Sequence, residues 1–192
     1  MSNTQYNIVF NTQWGSDFVP IGHPPQPHTG NMFLVTHNNN YDLFKLNSIA
    51  SVGIINSSMF GTNDMLMDEI IDDENIDNIY TAPSINAPGY YQFTIYVNPS
   101  YPSISFVTML APSPDWFTGI SSVNLLSRNH EWKKSIIANL WAYDAGSDYG
   151  NGFYNEPDFP VDVLRPISLI TDGVLFPNNN PIPIAQLIID KL

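Results

Sequence analysis

Proline sets the tightest limit on what this chain can fold into. Sixteen prolines are spread through 192 residues, and each lacks a backbone donor and disfavours helix in the residue before it. This favours strands and turns over long helices. Aromatic residues make up 13% of the chain, which adds to the preference for short strands joined by turns. Consecutive prolines at 24 and 25, with others at 20 and 27, predict a rigid loop from Phe18 to Gly30.

The segments between these breaks read as strands. Tyr6 to Phe10 alternates apolar and polar residues, and Met32 to Thr36 is a short apolar run. Tyr41 to Leu46 continues as an extended piece. Tyr91 to Val97 and Ser103 to Leu110 flank the turn residues Asn98, Pro99 and Ser100, a pattern that predicts a hairpin. Trp116 to Leu126, Ser135 to Tyr143, Val163 to Ile170 and Ala185 to Leu192 are further strand candidates. Between Ser48 and Asp73 the period changes. Ile49, Val52, Ile55 and Met59 recur at helical spacing, Gly61 suits a cap, and Met65, Leu66, Ile70 and Ile71 give a second helix its apolar side. The acidic run Asp72 to Glu74 has no turn glycine of the calcium-loop type and reads as a solvated loop. The expected architecture is all-β: an antiparallel β-sandwich of about eight strands with one or two short helices inserted. No repeat or linker divides the chain, so residues 1–192 are expected to form a single domain.

Charge narrows the functional classes. Six basic residues stand against 18 acidic ones, a formal charge of −12. Such a surface repels phosphate backbones, which argues against nucleic acid, and repels anionic membranes unless a cation intervenes. It suits a divalent cation. Cysteine is absent, which removes disulfides, thiolate chemistry and cysteine-based zinc sites. No apolar run reaches the ~20 residues of a membrane span, and no signal peptide is visible at the N-terminus. The catalytic signatures of serine hydrolases, phosphate loops, dinucleotide folds and zinc proteases are all missing, so the chain is read as no enzyme. The histidines at 23, 28, 37 and 130 have no diagnostic zinc spacing and are read as packed or loop residues. The tryptophans at 14, 116, 132 and 141 are read as core fillers rather than as a carbohydrate or peptide pocket.

Two stretches carry a resemblance. Ser105 to Ile120 reads SFVTMLAPSPDWFTGI, and Leu140 to Gly150 reads LWAYDAGSDYG. Together, in this order and with Trp132 between them, they resemble the spondin N-terminal domain family, the domain shared by F-spondin and mindin. Phe10 and Trp14, the run His37, Asn40, Tyr41 and Leu43, then Ala50, Ser51, Gly53 and Gly61, and finally Arg165 and Pro166 extend the similarity over nearly the whole chain. The resemblance implies a C2-like sandwich in an extracellular or cell-surface protein that binds a matrix or cell-surface ligand, protein or glycan. The reelin-type or thrombospondin repeats that usually follow in animal members are not found in this sequence, and neither are their cysteines.

The resemblance also implies a calcium ion held by the aspartates of the two motifs, Asp115 and Asp144. The residues themselves agree: Asp115 follows a Pro-Ser-Pro kink that ends one strand and Asp144 ends another, an arrangement that would place both at one end of a sandwich, where loops cluster. Gly146 would let backbone carbonyls approach an ion. The alternative is that both aspartates cap turns by accepting backbone N–H groups, and Asp148 is assigned such a turn role. Some family members add a glutamate from the strand before the SPDW strand. The corresponding stretch here, Tyr91 to Val97, has no carboxylate, so carbonyls and water would complete the site. Two other readings remain open: a calcium-dependent lipid or glycan binder, and a self-assembling structural protein.

Overall fold

The computed structural model describes residues 1–15, 17–18, 22–153 and 160–192. Its strands are β1 (Thr4–Thr12), β2 (His28–Thr29), β3 (Met32–His37), β4 (Ile76–Ala82), β5 (Gly89–Val97), β6 (Ser103–Ala111), β7 (Trp116–Asn124), β8 (Ser135–Asp144), β9 (Ser168–Leu169) and β10 (Ala185–Lys191). Two helices, α1 (Val52–Phe60) and α2 (Asp64–Ile70), lie between β3 and β4. The described strands form one antiparallel sheet, ordered β4-β3-β6-β7-β8-β10-β1-β5, with β2 on β6 and β9 on β8. Among the described residues no helix is long and apolar enough to cross a membrane.

β8 joins the two halves of the sheet. Ser135 to Leu140 pairs with β10, whereas Trp141 to Asp144 pairs with β7. Side chains from both halves then share one core. Tyr6, Ile8 and Phe10 of β1, Ile95 and Val97 of β5, and Leu187 and Ile189 of β10 pack with Met32, Leu34, Ile104 and Phe106 from β3 and β6. The rings of Phe10 and Phe106 lie 5.1 Å apart. The sheet curls far enough for the hydroxyl of Tyr80 on β4 to reach Tyr96 on β5, the opposite edge.

The expected hairpin between Tyr91–Val97 and Ser103–Leu110 does not form. β5 pairs with β1, and β6 pairs with β3 and β7. The turn at Asn98, closed by Tyr101 N–H on its carbonyl at 2.9 Å, carries the chain between the two halves of the sheet. The burial patterns explain this. β5 buries alternate residues at its far end, as an edge strand does, whereas all nine residues of β6 are buried. β6 is central, with one face in the first core and the other under the helices, where Val107 packs with Phe33, Ile54, Leu66 and Ile70.

Both helices form where expected, but α1 presents a different face. It buries Gly53, Ile54, Ser57 and Ser58, while Ile49 and Val52 are 52% and 59% exposed. Small residues win that face because α2 lies against it: a Cβ at Gly53 would meet Leu66 Cα at 2.6 Å. Ser51 Oγ caps α1 by accepting from Ile54 N–H, and Gly61 ends it in the left-handed region at φ 67°. In α2 only Leu66 and Ile70 are buried; Met65 and Ile71 face outward. Asn63 precedes α2 without a side-chain cap, because its Oδ1 instead accepts from Ser57 Oγ at 3.0 Å, while its amide donates to the Asn31 and Met32 carbonyls.

Four strand assignments change. β2 forms at the end of the stretch expected to be a loop from Phe18 to Gly30. Tyr41 to Leu46 forms no strand, and Val163 to Ile170 shrinks to Ser168–Leu169. β4 follows the acidic run and was not foreseen, since IDNIYTA hides its alternation among polar residues. Pro24, Pro25 and Pro27 lie in irregular chain as expected; Pro20 lies outside the described residues.

The buried face of α1 is testable. Ile54→Ala should cost about 2–5 kcal/mol in denaturant unfolding, as for a buried branched residue. Val52→Ala should cost less than about 0.5 kcal/mol.

Candidate metal centre

Asp115 directly precedes β7 and Asp144 ends β8. Because these strands pair antiparallel with Trp116 opposite Asp144, the two carboxylates share one end of the sheet. The neighbouring backbone holds them there, with Ala145 N–H donating to the Asp115 carbonyl at 3.1 Å. The chain then turns through Gly146, at φ 79°, where a Cβ would sit 2.1 Å from the Arg165 carbonyl oxygen. Only glycine fits that approach.

Each aspartate uses one oxygen to organise the turn. Asp115 Oδ2 accepts from Ser147 N–H at 2.7 Å, Ser147 Oγ at 2.9 Å and Asp148 N–H at 3.0 Å. Asp144 Oδ1 accepts from Gly146 N–H at 2.7 Å, and Asp148 Oδ1 from Gly150 N–H at 2.6 Å. The turn-capping role is therefore real for all three. It leaves one oxygen over: Asp115 is fully buried, and its Oδ1 has no hydrogen-bond partner.

Burial pushes the Asp115 carboxyl up to about 6, and the nearby Asp144 charge adds to the shift, while the Ser147 and Asp148 donors oppose it. Asp144 is also raised by burial, against the Gly146 N–H and the positive charge of Arg165. The site thus holds the buried Asp115 carboxyl and the half-buried Asp144 carboxyl, with the Asp144 charge disfavouring that of Asp115 and the Asp148 charge disfavouring that of Asp144.

Arg165 is the residue beside the two aspartates that reading the site from them missed. Its Nη2 donates to the Asp148 carbonyl and stands 3.7 Å from Asp144 Oδ1. Its guanidinium carbon lies 5.1 Å from the centre of the Tyr149 ring, within cation–π range. Its backbone N–H donates to the Gly146 carbonyl at 2.8 Å. The Arg165-Pro166 pair was its sequence signal, but nothing in the spacing tied it to aspartates some twenty and fifty residues earlier. A cleft of about 170 Å³ opens beside these groups, lined by Asp144, Tyr149, Arg165, Ser168 and Thr171 among others.

Trp116 borders this cleft, whereas His28 and His37 lie away from it. His37 is buried, with Nε2 on Ser105 Oγ at 2.8 Å and Nδ1 on the Asn38 carbonyl at 2.7 Å. His28 Nδ1 bonds the Gln26 carbonyl at 2.8 Å. Trp14 and Trp116 are core residues, while Trp132 and Trp141 are half-buried beside the core. Among the described residues no group of three or more His, Asp or Glu side chains is gathered to hold a metal by itself. Any ion at Asp115 and Asp144 would draw its remaining ligands from carbonyls and water.

These motifs and this fold define a class. The Spondin_N family model matches residues 4–182, and the chain belongs to that family. Spondin-2 of Rattus norvegicus is 28% identical over 175 residues, and Spondin-2 of Homo sapiens 27%. Spondin-1 of Gallus gallus is 27% identical over 177 residues. Each alignment covers 85% of this chain, but only 52% of the Spondin-2 sequences and 22% of Spondin-1. The chain thus spans about half the length of the first relatives and about a fifth of the last.

The raised Asp115 carboxyl sets a pH dependence. An unfolded aspartate titrates near about 3.9, so between that value and about 6 the folded state binds the extra proton. Its contribution to stability is complete below the unfolded value and is lost as the pH rises through 6, a difference on the order of 3 kcal/mol. In the presence of chelator, the melting temperature of Asp115→Asn should fall less between pH 4.5 and 7 (roughly the window these values bracket) than that of the unmodified protein.

Proposed function

We propose that the chain is a non-enzymatic extracellular or cell-surface binding domain of residues 1–192, a C2-like sandwich in which Asp115 and Asp144 hold a calcium ion. The observation that carries this reading is the buried Oδ1 of Asp115, without a hydrogen-bond partner among the described residues, beside the half-buried carboxylate of Asp144. An unsatisfied buried acceptor costs about 1–3 kcal/mol, and like charges add to that cost. Calcium takes six to eight oxygens from carboxylates, carbonyls and water, a set that two aspartates at a glycine turn can begin. Bound there, it neutralises charge and orders the loops. Asp115 and Asp144 supply carboxylate oxygens, the Ser147 and Asp148 N–H groups keep Asp115 aimed, and Gly146 lets the loop close on Arg165. The ligand is a matrix or cell-surface protein or glycan, in keeping with the family.

Thermal unfolding with and without calcium tests the site. A ligand at a hundredfold excess over its dissociation constant stabilises by about 2.7 kcal/mol. Calcium should raise the melting temperature of the unmodified protein and of neither Asp115→Asn nor Asp144→Asn. An absent shift would leave both aspartates as turn caps.

The cleft beside Asp144 and Arg165 favours a second reading, in which the ion bridges an anionic headgroup or sugar hydroxyls. Vesicles containing phosphatidylserine, or glycan arrays, should then retain the protein with calcium and release it with chelator. Retention unaffected by chelator removes this reading.

A further inference from the structure

The two edges of the sheet are protected unequally. β4 carries Asp77 and follows Asp72, Asp73 and Glu74, so a like-charged copy is repelled there. β5 has no Asp, Glu, Lys, Arg or Pro in its nine residues, and neither has β1 beside it. Natural edge strands are usually blunted by charge, proline or a bulge. β5 has none of these, and it keeps an unbroken register with β1 from Gly89 to Val97.

In an antiparallel ladder alternate residues turn their N–H and C=O away from the paired strand. Tyr96 is one of these: its N–H donates to Tyr80 Oη at 2.8 Å, and its carbonyl accepts from that hydroxyl at 3.2 Å. The same parity puts the backbone groups of Tyr90, Gln92 and Thr94 on the outer edge. Among the described residues none of them has a hydrogen-bond partner there. Their side chains are exposed, Tyr90 to 71%. The adjoining surface continues without charge through Gln5, Asn7, Val9 and Asn11 in register on β1.

We propose that β5 is the seam through which two copies of this chain pair, antiparallel about a twofold axis at Gln92. Gln92 then faces Gln92 of the copy, and Tyr90 faces its Thr94. Each of the three residues donates its outward N–H and accepts at its outward carbonyl, so the strand is complementary to itself. Tyr80 closes the seam at Tyr96. A second copy is favoured over other occupants because the outward groups of Tyr90, Gln92 and Thr94 pair with their own symmetry mates. Each copy has a net charge of −12, and this edge lets two of them meet with no carboxylate at the contact. The half-buried rings of Tyr91 and Phe93 lie on the core side of the same strand and would be covered as well. None of this depends on calcium or on Asp115.

Sedimentation equilibrium from micromolar to millimolar concentration, with chelator present, tests the seam. A monomer–dimer equilibrium is expected, and the Tyr90, Gln92 and Thr94 amides should exchange more slowly as dimer forms. Gln92→Lys sets two like charges directly opposite and should weaken pairing about tenfold or more. Its melting temperature should hold, since Gln92 is exposed. Thr94→Pro removes one outward donor without touching the β1 ladder and should weaken pairing too. Asn139→Lys, on β8 away from the edge, should leave it unchanged. A monomer at every concentration overturns the proposal. So does a dimer that survives Gln92→Lys, or open-ended growth beyond the dimer.

Discussion

The pairing of β7 with the last residues of β8 is the interaction on which the rest depends. Because Trp116 lies opposite Asp144, the residue before one strand and the last residue of the other meet at one end of the sheet. The first half of β8 meanwhile pairs with β10. One strand therefore joins the two halves of the sheet over a common core and sets the two aspartates side by side. A register slip of one residue would turn the core side chains of β8 outward and separate the carboxylates at the same time.

The loop that follows is over-determined by its backbone. Gly146 is pressed against the Arg165 carbonyl, Asp115 Oδ2 gathers three donors from Ser147 and Asp148, and Arg165 reaches the Asp148 carbonyl. These contacts hold a buried carboxylate in place although its charge is disfavoured there. Rigidity of this kind would serve the proposed cation, because ligands already in position need no further ordering when an ion arrives. Arg165 balances part of the negative charge meanwhile, at 3.7 Å from Asp144.

The two edges of the sheet extend the same logic to the surface. Tyr80 fastens one edge to the other near Tyr96, and acidic residues surround β4 while β5 is neutral. In a chain of −12, where charge is missing is as informative as where it is concentrated.

Much of this was legible in the chain. Proline and aromatic content favoured strands over long helices, alternation located most strands, and the SPDW and DAGSDYG stretches identified the family and marked the two aspartates, because each of these signals is local. The partners of β5 and β6 were not legible: an apolar run says that a strand is buried, not which strands cover it. The face of α1 followed α2, whose close approach selects Gly53 and Ser57 over the better-spaced Val52 and Ile55. Arg165 entered the site only through the turn that brings Gly146 to its backbone. The sequence by itself determined the all-β class and the family, and it marked the two aspartates that the fold brings to one end of the sheet. Tertiary structure alone decided strand order, the orphaned oxygen and the open edge, since those depend on contacts between residues far apart in the chain.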